Sequence, residues 1–360
     1  MTPFKKLDKN FPIENYSTEW DSWCDYEVPL VNKKFGKRPF LRPSSIYGYW
    51  WQWDKTLIEK TIQQNSVIYL RHASLDYHIN LLLEACKKIG APRIIVSDTN
   101  IRANVPENVR VIVVPGLAYQ FSRCFADTDI KPDFNRKIDK CKYPFMLMAS
   151  SQDNGRPRLL LMLKKLGLLE KCLYSTSSIS SKDFLFPEDD LGLNQVMTSL
   201  DKKIIGKEYI KFNVKTNLDI IPKFINLCNF YLAIDSNGLY DHNINWQVSE
   251  KHLWGYTTTV PVISFWCKNT LEQMQNWGFK THNISMRQKN ETIQETITRW
   301  SKEILFYYQI TLDPNWSRSW QDKQNINSAK NFEIAKNLHN KIKNGISQQI
   351  EELPSEFLKV

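Results

Sequence analysis

The sequence lacks the features of membrane, secreted and zinc-binding proteins. No apolar run approaches the roughly 18 residues that a membrane-spanning helix needs, so we expect no such helix. The segment MTPFKKLDKNF has no apolar stretch of the kind that a signal peptide carries. The seven cysteines form no CxxC pair and no cluster with histidine, which disfavours zinc sites and disulfide scaffolds. We therefore predict a cytoplasmic protein with reduced thiols and no bound metal.

The composition indicates a folded protein with a basic surface. Apolar residues make up 42% of the chain and charged residues 24%, an ordinary globular balance. The net charge of +10 favours an anionic partner such as nucleic acid, a nucleotide or an anionic lipid surface. A lysine-rich composition inherited from AT-rich coding is the alternative explanation. Twelve Trp, fifteen Tyr and eighteen Phe make the chain rich in aromatic rings.

Hydrophobic periodicity predicts two successive α/β units with parallel sheets. Short apolar runs that alternate with helical patterns are typical of such sheets. We predict strands at 66–70, 93–98, 109–116, 144–150, 171–176, 207–213, 230–237 and 260–266. We predict helices at 75–90, 156–167, 218–228, 248–259 and 269–279, and a mostly helical segment from Thr292 to Lys359. The polar stretch 127–143 separates the units. The predicted domains are therefore 1–140 and 144–290, followed by carboxyl-terminal helices at 291–360 that pack back across both.

Two segments of the second unit carry residues suited to a nucleotide. Arg156 and Arg158 open a predicted helix, where backbone N–H groups and guanidinium groups together favour phosphate. The alternative is that both arginines are simply solvated.

In the second segment, a buried strand leads to Asp235 and Ser236, and a helix start follows at Ser249, Glu250 and Lys251. Ser249 is suited to cap the helix, Glu250 to accept hydrogen bonds from both ribose hydroxyls, and Lys251 to meet a phosphate. Otherwise Glu250 only interacts favourably with the helix dipole and Lys251 is exposed.

These segments carry a resemblance. FYLAIDSN…VSEKHLWGYTTTVPVI resembles the donor half of fucosyltransferase-like GT-B glycosyltransferases. The stretch ending WGFKTH and the segment RPR…LLKKLGLLEK are similar to parts of uncharacterised phage and giant-virus glycosyltransferases. The resemblance covers roughly residues 144–283. It implies a GT-B fold, with two Rossmann-like domains that face a central cleft and a helical carboxyl-terminal segment.

The family's functional residues carry over to the second domain. The resemblance implies that Glu250 holds the ribose of a UDP- or GDP-sugar, with Lys251 and one of Arg156 or Arg158 at the diphosphate. It also implies an inverting transfer without a catalytic metal. The turn IDSN stands where fucosyltransferases carry an acidic run, so the sugar is not assigned. If the protein is encoded by a phage, we expect it to act in the cytoplasm of the infected host cell.

An inverting transfer needs a general base near the acceptor hydroxyl. His72 and Asp98 follow predicted strands of the first domain and are the leading candidates, with Asp54 and Asp76 as further ones. His72 is equally well explained as an ordinary surface histidine. The single DxD string, Asp127–Asp129, does not follow an apolar strand, and we interpret it as a turn.

The entry segment suggests the acceptor. It interleaves basic and aromatic side chains, among them Lys37, Arg38, Arg42, Trp50, Trp51 and Trp53. Basic groups track phosphates and aromatic rings stack on unpaired or flipped bases, so a hydroxymethylated base in phage-type DNA is the preferred acceptor. Aromatic rings also bind sugars, which keeps a glycan or lipid-linked sugar as an alternative. A non-catalytic DNA- or nucleotide-binding protein is the rival from another class.

Overall fold

The chain is a mixed α/β protein with parallel sheets and a helical carboxyl-terminal region, as the sequence predicts. The computed structural model describes residues 55–64, 66–70, 76–97, 101, 104–127, 131–137, 140–149, 155–176, 221–234, 248, 250–266 and 268–358. The described residues divide into a first unit, within Met1–Gly116 and Asn344–Val360, and a second unit, within Leu117–Lys343. Among these residues, no helix has the length and apolar composition needed to cross a membrane.

The first unit contains a three-stranded parallel sheet in the order β1-β2-β3. Its strands are β1 (Val67–Leu70), β2 (Arg93–Ser97) and β3 (Val109–Val113), and its helices are α1 (Lys55–Gln64) and α2 (Asp76–Ile89). Apolar side chains of both helices meet those of the strands in one core. Strand β2 is buried along its whole length, which explains why RIIVS is apolar except at its two ends.

The end of the chain completes this first unit. Gln349 pairs with the last residue of β3, accepting from the Val113 N–H at 2.8 Å and donating to its carbonyl oxygen at 3.2 Å. The Arg110 guanidinium lies 4.8 Å from the centre of the Phe357 ring, in a cation–π contact. One glutamine side chain thus satisfies backbone groups of β3 in the way a further strand would.

The second unit contains a five-stranded, all-parallel sheet in the order β5-β4-β6-β7-β8. The strands are β4 (Tyr143–Ala149), β5 (Leu173–Thr176), β6 (Cys228–Ile234), β7 (Val262–Phe265) and β8 (Ile284–Ser285). The labelled helices are α3 (Gly116–Ala126), α4 (Gly155–Lys165), α5 (Glu250–Thr257), α6 (Lys268–Asn276), α7 (Ile293–Ile310), α8 (Pro314–Glu351) and α9 (Ser355–Leu358), and the described residues 221–225 before β6 are helical too. The first residue of α3, the last turns of α8 and the whole of α9 belong to the first unit. The predicted strand at 207–213 lies outside the described residues.

One face of the five-stranded sheet is covered by α4, α7 and the start of α8. Every second side chain of a strand faces the same side of the sheet. Phe145 of β4, Phe230 of β6 and Phe265 of β7 are among the side chains that point into this core. Trp300 of α7 packs 4.7 Å from Phe265, measured between ring centroids. Helix α7 begins with a capping box in which Thr292 and Glu295 bond to each other's backbone N–H groups.

The opposite face is covered by α3, α5 and the middle of α8. Here Trp254 of α5 meets Phe121 of α3 edge to face at 6.4 Å, and Phe332 of α8 meets Phe125 of α3 at 5.1 Å. Because both faces of β4 and β6 are buried, YPFMLMA and CNFYLAI are almost continuously apolar.

A half-buried arginine ties the polar stretch before β4 to this sheet. The Arg136 guanidinium donates to the carbonyl oxygens of Cys228 and Asn226, to the Gln321 side chain and to the Cys141 sulfur. Burial lowers the pKa of Arg136 from its ordinary value. Four acceptors around one desolvated cation explain why this polar segment is nevertheless ordered.

Gly255 of α5 lies close against the sheet. A methyl group at this position would lie 2.8 Å from a ring carbon of Tyr231 and 3.3 Å from a methyl of Val262. We expect Gly255→Ala to destabilise the protein by about 1–3 kcal/mol, because the rigid ring has to move. Thermal unfolding followed by circular dichroism measures the effect as a lower midpoint.

Gly345→Ala is the matched control. Gly345 also lies in a helix, but no atom outside its own helix would come within 4 Å of an added methyl. This substitution should leave stability unchanged or raise it by up to about 1 kcal/mol, the difference in helix propensity. Equal midpoints for the two variants would contradict the close packing of α5 on β6.

Candidate functional site

All five strands of the second sheet end level with one another. Ala149 pairs with Thr176, and Phe265 pairs with both Ile234 and Ser285. Leu147 pairs with Leu232, and β4 and β6 each end two residues later. The carboxyl ends of the strands therefore form one straight edge, which we call the carboxyl edge.

The chain reverses its direction of travel across the sheet between β4 and β6. From β4 it passes through α4 to β5 on one side, and from β6 it passes through α5 to β7 on the other. In open parallel sheets, ligands bind beyond the carboxyl ends of the two strands where such a reversal occurs. The candidate site is therefore the part of the carboxyl edge next to Ala149 and Ile234.

Two helices begin at this position. Helices α4 and α5 each connect parallel strands, so each starts at the carboxyl edge and runs back along the sheet. The first turn of a helix presents backbone N–H groups without intrahelical partners and the positive end of its dipole. Gly155 and Glu250 open these helices, and their first turns favour an anionic group such as a diphosphate.

The two predicted arginines lie in the first turn of α4. Arg156 is the second residue of the helix, and its side chain lies outside what the structure describes. Arg158 is the fourth residue and is half-buried. Residues two apart on a helix point in different directions, so a single phosphate would meet one of these guanidinium groups and not both.

The predicted Glu250–Lys251 pair opens α5. Lys251 is half-buried, whereas Ser249 and the Glu250 side chain lie outside the described part of the chain. The entry to the helix is tied to α6, because the Val248 N–H donates to the Gln273 side chain at 3.1 Å. The structure thus places the backbone of both predicted motifs at the same edge of the sheet.

Of the further base candidates, Asp76 is the first residue of α2 and Asp54 lies outside the described residues. The other predicted site residues also lie outside the described part of the chain. These are Asp235 and Ser236, the base candidates His72 and Asp98, and the acceptor set Lys37, Arg38, Arg42, Trp50, Trp51 and Trp53. Their roles stay predictions. Of the DxD string, only Asp127 is described, as an exposed turn residue at the end of α3. Among the described residues, no group of three or more His, Cys, Asp or Glu side chains is arranged to hold a metal ion.

A histidine next to the predicted pair was missed. His252 is 1% exposed and packs edge to face against Trp266, with the ring centroids 5.1 Å apart. Trp266 directly follows β7, so this contact fixes the first turn of α5 over the carboxyl edge. In the sequence, His252 is marked only by its place beside Lys251, and that place shows nothing about the burial of the His252 ring.

An ion pair at the end of β8 was also missed. Arg299 of α7 donates through Nε and Nη2 to both carboxylate oxygens of Glu291, at 2.6 and 2.8 Å. Arg299 also donates to the Ser285 hydroxyl at the carboxyl edge. Hydrogen bonds from Arg299 lower the pKa of Glu291 from 4.5 to about 2. Because its charge is matched internally, Arg299 has little capacity left for an external anion.

No protein-family model matches this chain, and no curated protein and no solved structure matches it either.

The Glu291–Arg299 pair makes stability depend on pH. Because the folded pKa lies below the ordinary one, its contribution is complete above pH 4.5 and is lost as the pH falls towards 2. We expect Glu291→Gln to lower the free energy of unfolding by about 1–2 kcal/mol at pH 7. In urea unfolding at a series of pH values, the difference from the unmodified protein should shrink below pH 4.5.

Glu272→Gln provides the comparison. Glu272 pairs with Lys268 at 3.6 Å, and both side chains are well exposed. Exposed pairs of this kind contribute only about 0.3–0.5 kcal/mol. If the two variants lose equal stability at pH 7, the Glu291 pair has no special role.

Proposed function

We propose that this chain is a glycosyltransferase that moves a sugar from a nucleotide-sugar donor to a hydroxyl acceptor. The observation that supports the proposal is the reversal between β4 and β6, with α4 and α5 both starting at that edge. The two motifs that carry the family resemblance open these two helices. A nucleotide diphosphate is the ligand class that suits this arrangement.

Each donor contact has an assigned residue in this proposal. The diphosphate lies at the start of α4, with Arg156 or Arg158 as its guanidinium partner, and Lys251 adds a second positive charge. The Glu250 carboxylate accepts hydrogen bonds from the ribose hydroxyls. We also assign to the donor Asp235 and Ser236, which follow β6 in the sequence, and we assign Ser249 as the cap of α5.

The chemical step follows from these contacts. The acceptor oxygen attacks the anomeric carbon, the bond from that carbon to the diphosphate oxygen breaks, and a general base takes the hydroxyl proton. The basic side chains and the helix N-termini stabilise the departing diphosphate, so no metal is required. We propose His72 or Asp98 as the base, an inverting outcome, and the GT-B arrangement for the whole chain.

The preferred acceptor is a hydroxymethylated base in DNA. Its support is the basic and aromatic composition of residues 33–53 together with the net charge of +10. A glycan or lipid-linked sugar is the alternative acceptor. A non-catalytic nucleotide-binding protein would bind the donor without any transfer.

Glu250→Ala and Lys251→Ala should weaken donor binding in different ways. Loss of the ribose contact should weaken UDP or GDP binding about tenfold or more but leave pyrophosphate binding unchanged. Loss of Lys251 should weaken the binding of both, since it meets phosphate. Isothermal titration with UDP, GDP and pyrophosphate distinguishes the two patterns.

Two exposed residues away from the carboxyl edge serve as controls for this titration. Glu170→Ala and Lys302→Ala remove the same charges and should leave all three affinities unchanged. Failure of the unmodified protein to bind any nucleotide or to hydrolyse any UDP- or GDP-sugar would refute the glycosyltransferase proposal.

The acceptor is tested by transfer of a radiolabelled sugar. We expect label in DNA that contains hydroxymethylcytosine or hydroxymethyluracil, and none in the same DNA with unmodified bases. Replacing Lys37, Arg38 and Arg42 with Ala should reduce transfer to DNA about tenfold at low salt, because phosphate contacts are lost. Label only in oligosaccharides would replace the DNA acceptor with a glycan.

A further inference from the structure

A pocket lies at the amino ends of β4 and β6, opposite the carboxyl edge. It has a volume of about 600 Å³, within the usual range for small-molecule sites. Its walls come from the segment before β4, from the start of β6 and from the first turns of α8. All of these residues belong to the second unit. We call it the amino-edge pocket.

This pocket is separate from the proposed donor site. Tyr143 and Cys228, the first residues of β4 and β6, pair with each other beside it. Each strand is seven residues long and therefore spans about 20 Å from the amino edge to the carboxyl edge. A ligand in the amino-edge pocket would not reach the first turns of α4 and α5.

The floor of the pocket is rigid and positively charged. Arg136 lines it, and its guanidinium is held by backbone carbonyls of Cys228 and Asn226 and by the Gln321 side chain. These bonds fix the shape of the pocket before any ligand arrives. Because the acceptors are neutral, the charge of Arg136 remains uncompensated by them and favours an anion in the pocket.

Two further cations line the pocket and remain available to a ligand. Lys137 and Arg318 are exposed, and neither forms an ion pair within the described part of the chain. Asp322 is the one carboxylate among the lining residues. Three cations against one carboxylate give this pocket a net positive charge, and a guanidinium with an ammonium is suited to a phosphate group.

The other lining groups suit an aromatic base. The side-chain oxygen of Asn325 is buried and has no hydrogen-bond partner among the described residues, and the Asn229 amide lies in the same wall. Phe134 also lines the pocket, and 48% of its surface is exposed. An amide oxygen without a partner favours a hydrogen-bond donor on a ligand, and an exposed ring favours stacking with a flat heterocycle.

We propose that the amino-edge pocket binds a nucleoside phosphate. Arg318 and Lys137 contact the phosphate, Phe134 stacks on the base, and Asn325 pairs with its polar edge. The nucleoside phosphate comes either as a free nucleotide or as one unit of a single-stranded nucleic acid. This inference does not depend on the glycosyltransferase proposal, since it uses a different edge of the sheet.

Binding of two probes to the full chain tests this. The probes are mant-ADP for a free nucleotide and fluorescein-labelled dT12 for a single strand, followed by fluorescence anisotropy. We expect the double variant Lys137→Ala/Arg318→Ala to lower the affinity for the probe that occupies the pocket by at least about tenfold. Phe134→Ala should also lower this affinity about tenfold, but pyrophosphate should compete with the probe as well as before. The probe affected identifies the source of the nucleotide.

Lys302→Ala/Lys330→Ala is the charge-matched control. Both lysines are exposed and neither lines the pocket, so this variant should keep the affinity for both probes. Equal affinities of the Lys137/Arg318 variant and its control would overturn the proposal. Binding of anionic phosphatidylserine vesicles in place of both probes would also overturn it.

Photocross-linking provides a readout that does not depend on the folding of a variant. A dT12 strand with one 4-thiothymine, or 8-azido-ADP for the free nucleotide, is irradiated with the unmodified protein and mapped by mass spectrometry. Cross-links at Phe134 or its neighbours in the segment 131–137 support the proposal. Cross-links found only elsewhere in the chain refute it.

Discussion

The arrangement of the second unit depends on the pairing of β4 with β6. Both strands are buried on both faces, so neither is stable without a layer of helices on each side. Because they are parallel, every connection has to return across the sheet, which places the starts of α4 and α5 at one edge. At the opposite edge, the half-buried Arg136 ties the segment before β4 to the start of β6 and to α8. The chemistry available at each edge is therefore a consequence of one strand pair.

Local patterns in the sequence predicted the elements but not their neighbours. The strands RIIVS, YPFMLMA and CNFYLAI were predictable because burial on both faces requires an apolar residue at nearly every position. The helix over 75–90 was predictable from its apolar spacing and its terminal glycine, and Gly90 has the positive φ of 71° that such a stop requires. The order β5-β4-β6 was not predictable, because pairing between distant segments leaves no periodic trace in one sequence.

The places of the two motifs in the fold were predictable to a similar extent. The two motifs that resemble a donor-binding domain were located on residues that open α4 and α5, because strand–loop–helix order follows from local pattern. The contacts that set the shape of the edge were beyond prediction, since each joins side chains of different elements and leaves no periodic trace in the sequence. His252 meets Trp266 across a helix and a strand, and Arg299 reaches back to Glu291 and Ser285.

Only part of the net charge of +10 is available to a partner. Arg299 is matched by Glu291, and Arg136 donates all its described hydrogen bonds to groups of the protein itself. Such cations stabilise the fold, and they attract a ligand only through their electrostatic field. Lys137 and Arg318 are exposed beside a polar pocket, and they are the kind of charge that counts for binding. A formal sum therefore overstates the charge available for an acceptor, whereas the position of each cation identifies the surfaces that remain.

The two edges of the sheet should act independently if both bind ligands. They are separated by the length of β4 and β6, and sites more than about 10 Å apart without shared partners usually contribute additively. Coupling between them would need an element with two arrangements that both ligands bias. The strands between the edges are packed tightly on both faces, with Gly255 in close contact with Tyr231, and such packing resists displacement. Nucleotide at one edge is therefore expected to leave the affinity of the other unchanged, and any measured coupling would require movement of a helix such as α5 over the sheet.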